Sequence, residues 1–272
     1  MEVNFEIKKG TNHIHLPVYL NDKGPFDFAL DTGAISTVIS KEVIEMIKIE
    51  VLELEEKYRE RYRSLGVINK ARIDKIQAGT SIFENEEVWV QDLTLEHCSS
   101  YKLADGLIGH STLKKFKITV DYHTNLLTFK DSKQDKEKED NLSYFRYLAD
   151  THIVTLPTYI NGKGPYDFVL DTGAGGTLLT PKLANELNIA MSGQKVKAAG
   201  IGGAVDAVLT KLDKLRVNDK EHSDVNIIIA DVSKLTPRGN IIETGILGFN
   251  FLRNYKVVID YPNLKFNLIN KP

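Results

Sequence analysis

The strongest constraint on this chain is that it carries one phrase twice. Leu16–Ser36 (LPVYLNDKGPFDFALDTGAIS) and Leu156–Gly176 (LPTYINGKGPYDFVLDTGAGG) are identical at 14 of 21 positions, at a shift of 140 residues. A second pair, GLIGHSTLKKFKITVDY from Gly106 and GILGFNFLRNYKVVIDY from Gly245, keeps its apolar pattern at a shift of 139. Two landmarks in the same order at nearly the same offset identify a duplicated unit. Two copies of globular size predict two similar lobes rather than a solenoid, divided as 1–130, a charged connection 131–150, and 151–272. The connection contains DSKQDKEKEDN, Asp131 to Asn141, whose packing would require many paired charges. The LSYFRYLAD that follows carries apolar groups that can lie on a lobe, with a helical end.

Within each copy the periodicity is that of strands. HIHLPVYL and HIVTLPTYI read as strands, NDKGP and NGKGP as hairpin turns, and FDFAL and YDFVL as returning strands that alternate faces. DTGA then falls in a tight loop at a strand end, where Gly33 and Gly173 let the backbone turn closely. Short helices are expected at SKEVIEMI, capped by Ser40, and at TPKLANEL, capped by Thr180 with Pro181 in its first turn. The predicted class is all-β, with a few short helices and approximate internal two-fold symmetry.

Composition removes several classes of function. With 35 Lys+Arg against 37 Asp+Glu, the chain lacks the basic excess that holds a phosphate backbone, so no nucleic-acid partner is expected. No segment is apolar for the length of a membrane span, and MEVNFEIKKG has no signal pattern. No membrane partner is expected, and a cytoplasmic setting is. Cys98 is the single cysteine. It provides no disulfide framework, and beside His97 it lacks the further ligand spacing of a metal site. Neither a metal nor a cofactor is expected.

The chemistry of the phrase lies in its aspartates. One Asp-Thr-Gly is an ordinary turn; two, on lobes related by a two-fold axis, bring Asp31 and Asp171 together. Carboxylates in contact resist double ionisation and share a proton. One can then take a proton from water while its protonated partner supports an amide carbonyl oxygen. Thr32 and Thr172 have hydroxyls that can cross-brace the loops, Ala34 and Ala174 leave room beside the carboxylates, and the amides around Gly33 and Gly173 can hold the ionised form. AAGIGGAVDA concentrates small residues and three glycines, as suits a flap over a groove: Gly200, Ile201, Gly202 and Gly203. Its first-lobe counterpart is expected near SLGVINKA, at Gly66 and Val67. Asp27, Asp167, Asp121 and Asp260 read as turn or surface residues.

On these residues the chain resembles the retropepsin-like aspartic proteases. Asp31-Thr32-Gly33-Ala34 and Asp171-Thr172-Gly173-Ala174 are similar to that family's catalytic motif, and Leu107–Gly109 and Ile246–Gly248 to the apolar-apolar-Gly segment that buttresses its active loop. The resemblance implies an aspartic endopeptidase with both halves of the site in one chain: a monomer with an intramolecular pseudo-dimer, acting on an extended peptide or protein. Ile35-Ser36 against Gly175-Gly176, and His110-Ser111 against Phe249-Asn250, depart from symmetry. A cleft that binds peptides without cutting them is the alternative.

Overall fold

The computed structural model describes residues 1–54, 56, 67–95, 101–132, 142–148, 151–235 and 241–270. Each repeat forms an eight-stranded sheet that closes on itself. In the first, the order is Glu6–Ile7, Ile14–Leu20, Lys23–Leu30, Gly106–Ile108, Val38–Ser40, Ser81–Gln91, Val67–Ala78 and Val51–Leu52, and Ile14–Leu20 also pairs with Val67–Ala78 to complete a barrel. In the second, the corresponding strands run Arg146–Tyr147, Val154–Ile160, Lys163–Leu170, Gly245–Leu247, Leu178–Leu179, Lys220–Ile229, Gly203–Val217 and Gln194–Gly200, closed by Val154–Ile160 against Gly203–Val217. Closure removes sheet edges and places alternate apolar side chains inside.

The expected helices form where their caps stand. Lys41–Ile47 begins with the Val43 amide donating to Ser40 Oγ at 3.4 Å. Pro181–Glu186 begins with the Leu183 amide donating to Thr180 Oγ1 at 3.3 Å. A third sheet joins the lobes. Its order is Glu2–Asn4, Leu126–Lys130, Lys117–Asp121, Tyr255–Asp260, Lys265–Asn270 and Ser143–Tyr144, so strands of both repeats meet at its centre. There Ile118 faces Ile259 and Val120 faces Val257, all buried. One continuous apolar cluster therefore runs through both lobes.

One expectation changes. The end of the connection is extended rather than helical: Ser143–Tyr144 pairs with Lys265 and Phe266, and Arg146–Tyr147 with Val154 and Thr155. Phe145 between them is buried, and alternation rather than helical spacing puts it in the core. Most of the preceding charged run, with His97 and Cys98, lies outside the described residues. Asp121 accepts from the His123 amide at 2.9 Å, and Asp260 from the Asn263 amide at 3.2 Å, as turn residues do.

Candidate active site

The apolar-Gly segments put the two DTGA loops in register. Gly106–Ile108 runs parallel to Phe28–Leu30, and Ile246–Leu247 parallel to Val169–Leu170. The chain beyond each strand is then tethered by its first amide: Asp31 donates to Ile108 O and Asp171 to Leu247 O, each at 3.1 Å. Both loops start from equivalent points, one on each lobe.

Behind the carboxylates the threonines cross. Thr32 Oγ1 accepts from the Thr172 amide at 3.0 Å and donates to Leu170 O at 3.0 Å. Thr172 Oγ1 accepts from the Thr32 amide at 3.1 Å and donates to Leu30 O at 2.9 Å. Each hydroxyl thus uses a donor and an acceptor in the opposite lobe, and both side chains are buried.

Asp31 and Asp171 stand in front of this brace, each against the glycine of the opposite loop. Asp31 Oδ1 accepts from the amides of Gly33 and Ala34, each at 2.9 Å, and Asp171 Oδ1 from the amide of Gly173 at 2.8 Å. Gly33 and Gly173 are required by this approach: a Cβ on the first would lie 2.9 Å from Asp171 Oδ2, and one on the second 2.7 Å from Asp31 Cγ. Burial raises both carboxyls above the ordinary carboxylate range, opposed by the loop amides, and Asp171 additionally feels the charge of Asp31. A pair of this kind retains a shared proton toward neutral pH.

The pair opens onto a cleft of about 670 Å³ between the lobes, with walls that include Val38, Leu103 and Leu107 on one side and Val169, Leu178 and Ile246 on the other. Over it extends the hairpin of Gln194–Gly200 and Gly203–Val217, with Ile201 and Gly202 at its turn. Of the four residues expected in a flap, Gly200 and Ile201 line the cleft. In the first lobe Val67 is instead the buried first residue of a strand, packed with Leu54. Gly66 lies outside the described residues.

The asymmetry after DTGA has a steric cause. The turn at Gly10–Asn12, from the first repeat, packs on the second loop, with Asn12 Nδ2 donating to Gly175 O at 3.1 Å. A Cβ at Gly175 would meet Thr11 O at 2.2 Å. The equivalent Ile35 is accommodated beside Leu54 and Val67. Gly175→Ala is therefore expected to displace that turn and cost about 1–3 kcal/mol in denaturant unfolding. An unchanged midpoint would show that the turn yields freely.

Two histidines were not singled out by motif reading. His152 is buried, and its Nε2–H donates to Gly33 O in the loop of the other repeat at 2.9 Å; His13 lines the cleft together with Gly173. The repeat does not mark them, since at the 140-residue shift of the matched phrase His13 corresponds to Ile153 rather than to His152. Burial, helped by His15 and Lys8, lowers His13 to about 4. His110 is likewise lowered to about 4 by burial, His152 and Lys114.

Among the described residues no group of three or more His, Cys, Asp or Glu side chains could hold a metal ion, and no helix is long and apolar enough to cross a membrane. A family model described as "Aspartyl protease" matches residues 16–112 and 156–251, once in each repeat. Among solved structures, a retropepsin-like aspartic protease from Rickettsia conorii is similar at 18% identity and a TM-score of 0.33, over 47% of this chain and 89% of that one. No curated protein matches.

Proposed function

Since the chain belongs to the aspartyl protease family, which it matches in two separate stretches, we propose that it is an aspartic endopeptidase in which Asp31 and Asp171 act as one dyad. The ionised member takes a proton from a water lying between the carboxylates. The water oxygen attacks the carbonyl carbon of a peptide bond, and the protonated member donates to the carbonyl oxygen. Collapse of the tetrahedral intermediate breaks the C–N bond, with the proton delivered to the leaving amine.

The observation that supports this reading is the placement of two buried carboxyls, each against the opposite loop's glycine and both lining one interlobe cleft. Thr32 and Thr172 fix the loops, Gly33 and Gly173 admit the opposite carboxylates, and Ala34 and Ala174 leave the cleft open beside them. Both halves come from one chain, so a monomer suffices, with the lobes 1–130 and 151–272 as its units. Balanced charge and a single cysteine favour an extended peptide or protein substrate and a cytoplasmic setting over a nucleic acid or a membrane.

The test is digestion of a mass-resolved peptide mixture from pH 4 to 8, with the double variant Asp31→Asn, Asp171→Asn as blank. Discrete cuts absent from the blank are expected, with a rate falling on the alkaline side as the shared proton is lost. Intact peptides at every pH, with peptide still bound, would make this a binding module.

A further inference from the structure

The two aspartate loops are not held alike. In the first, the Gly33–Ala34 peptide is gripped at both ends: its N–H, on Ala34, donates to Asp31 Oδ1 at 2.9 Å, and its C=O, on Gly33, accepts from His152 Nε2–H at 2.9 Å. A trans peptide is planar, with its C=O and N–H on opposite sides, so a hold on the oxygen fixes where the N–H is aimed. With the Gly33 amide also at 2.9 Å, Asp31 Oδ1 collects two donors. In the second loop Asp171 Oδ1 accepts from the Gly173 amide at 2.8 Å, while the Ala174 amide donates to Asp171 O at 3.3 Å. The residue that matches His152 at the shift of 140 is Asn12, and its Nδ2 donates two residues beyond the glycine, to Gly175 O.

His152 is firmly placed. Its neighbours tie the hairpin that carries it: the Leu148 amide donates to Ile153 O at 2.8 Å, the Thr151 amide to Leu148 O at 3.0 Å, and the Ile153 amide to Thr151 Oγ1 at 3.0 Å. The ring is buried, with its centroid 5.4 Å from that of His110. A carbonyl oxygen only accepts, so His152 carries a proton on Nε2, and protonation at Nδ1 leaves that donor in place. The next carbonyl of each loop is held in the same way in both repeats, Ala34 O by the His110 amide and Ala174 O by the Phe249 amide, each at 2.9 Å. The imidazole beside the second loop is His13, which lines the cleft with Gly173; its buried Nδ1 has no hydrogen-bond partner among the described residues.

We propose that His152 is a positioning residue that makes the two aspartates unequal: through the Gly33–Ala34 peptide it favours the ionised carboxylate at Asp31 and leaves the proton of the pair on Asp171. This rests on the proposed endopeptidase function and divides its two roles, with Asp31 taking the proton from water and Asp171 donating to the peptide carbonyl oxygen. Amide donors favour the charged form of a carboxyl. Burial raises both aspartates; the Ala34 and Gly33 amides oppose it at Asp31, whereas the charge of Asp31 raises Asp171 further. Tyr122 and Tyr261, which face the pair, are raised by burial and stay neutral. Around His152, burial lowers His110 to about 4, helped by His152 and Lys114, and raises Tyr147, whose hydroxyl meets His110 Nε2 at 3.3 Å. His13 beside the second loop is likewise lowered to about 4 by burial, His15 and Lys8.

Carbon-13 NMR of protein labelled at the aspartate carboxyls shows which of the two keeps the proton. The signals are assigned with Asp31→Asn and Asp171→Asn and followed from pH 4 to 9 in wild type, His152→Gln, His152→Leu and His13→Leu. In wild type Asp31 should ionise first. In His152→Leu the peptide loses its anchor, and the Asp31 signal should move at a pH higher by about one unit. His152→Gln keeps an N–H donor and should stay near wild type, and His13→Leu should keep the wild-type order. Turnover of the peptide that wild type cuts fastest should fall about tenfold in kcat in His152→Leu, with KM within about twofold, and the acid limb of its pH profile should rise by about one unit. His152→Gln should recover most of that kcat. Asp171 ionising first in wild type would overturn the inference, a result that needs no variant to fold. So would wild-type titration of both signals in His152→Leu, or an equal change in His13→Leu. Failure of the endopeptidase reading looks different: the carboxyls would titrate in the expected order while no peptide is cut.

Discussion

Asp31→Asn and Asp171→Asn should each lower peptide turnover by about three orders of magnitude, and the double variant should be little worse than either single one. General acid and base assistance together account for factors of about 10²–10⁴ per group. In the proposed dyad one proton serves both carboxyls, so loss of either removes the function of both. A variant retaining a tenth of wild-type turnover would mean that its aspartate does not belong to the reacting pair. The same substitutions should leave a second signature in stability. Asp171 is raised above its unfolded value by burial and by Asp31, so its contribution is fully present below the unfolded pKa and is lost as pH rises through the folded one. Wild type should thus weaken on the alkaline side, by on the order of a few kcal/mol. Asp171→Asn has no proton to lose there, and its stability relative to wild type should improve as pH rises.

The histidines act in the opposite sense. His13 and His110 are lowered to about 4, so the fold favours their neutral forms. Their contribution is present above about 6.5 and is lost as pH falls through 4. In Asp171→Asn this arm should persist together with the part of the alkaline decline that comes from Asp31, which burial also raises, so the decline should shrink rather than vanish. Urea midpoints of wild type and variant across pH 4 to 9 would separate the two arms. Parallel curves would remove Asp171 from the set of groups that titrate abnormally.

The part of this design legible in the sequence is the part carried by local chemistry repeated at a fixed offset. The DTGA loops, the caps Ser40 and Thr180, and the strand and turn flanking each loop can be found because each depends on a few consecutive residues. The crossing of Thr32 and Thr172 followed once two loops were taken as one device. What a single phrase did not disclose arises between the repeats. Gly175 reads as a loose residue until Thr11 O is placed against it. Ile118 and Ile259 look like ordinary strand residues, yet they pair across the centre of the lobe-joining sheet. The extended Ser143–Tyr147 stretch takes its form from the strands it meets, which its own composition does not name. Ile201 sits in a glycine-rich turn, and nothing local shows that its side chain packs against the first-lobe cluster of Ala29, Val38 and Leu107.

The largest stability effect is expected at the crossed threonines. Thr32→Val keeps the shape of the side chain and removes its hydroxyl, leaving the Thr172 amide and Leu170 O without their partner. Each buried group so stranded costs about 1–3 kcal/mol, so Thr32→Val should lose roughly 2–5 kcal/mol in urea unfolding. Thr172→Val strands the Thr32 amide and Leu30 O and should cost the same. Thr→Ser at either position keeps the hydroxyl and should lose only about 1 kcal/mol, for one buried methyl group. That contrast isolates the hydrogen bonds from packing. If the lobes unfold as one unit, as their shared apolar cluster and central sheet require, Thr32→Val should shift a single transition rather than split it. The double Val variant then measures whether the two hydroxyls hold each other: a loss smaller than the sum of the single losses means that breaking one already loosens the other. Equal stability of the Val and Ser variants would remove the crossing from what holds the two loops together, and the alignment of Asp31 with Asp171 would have to rest on the central sheet alone.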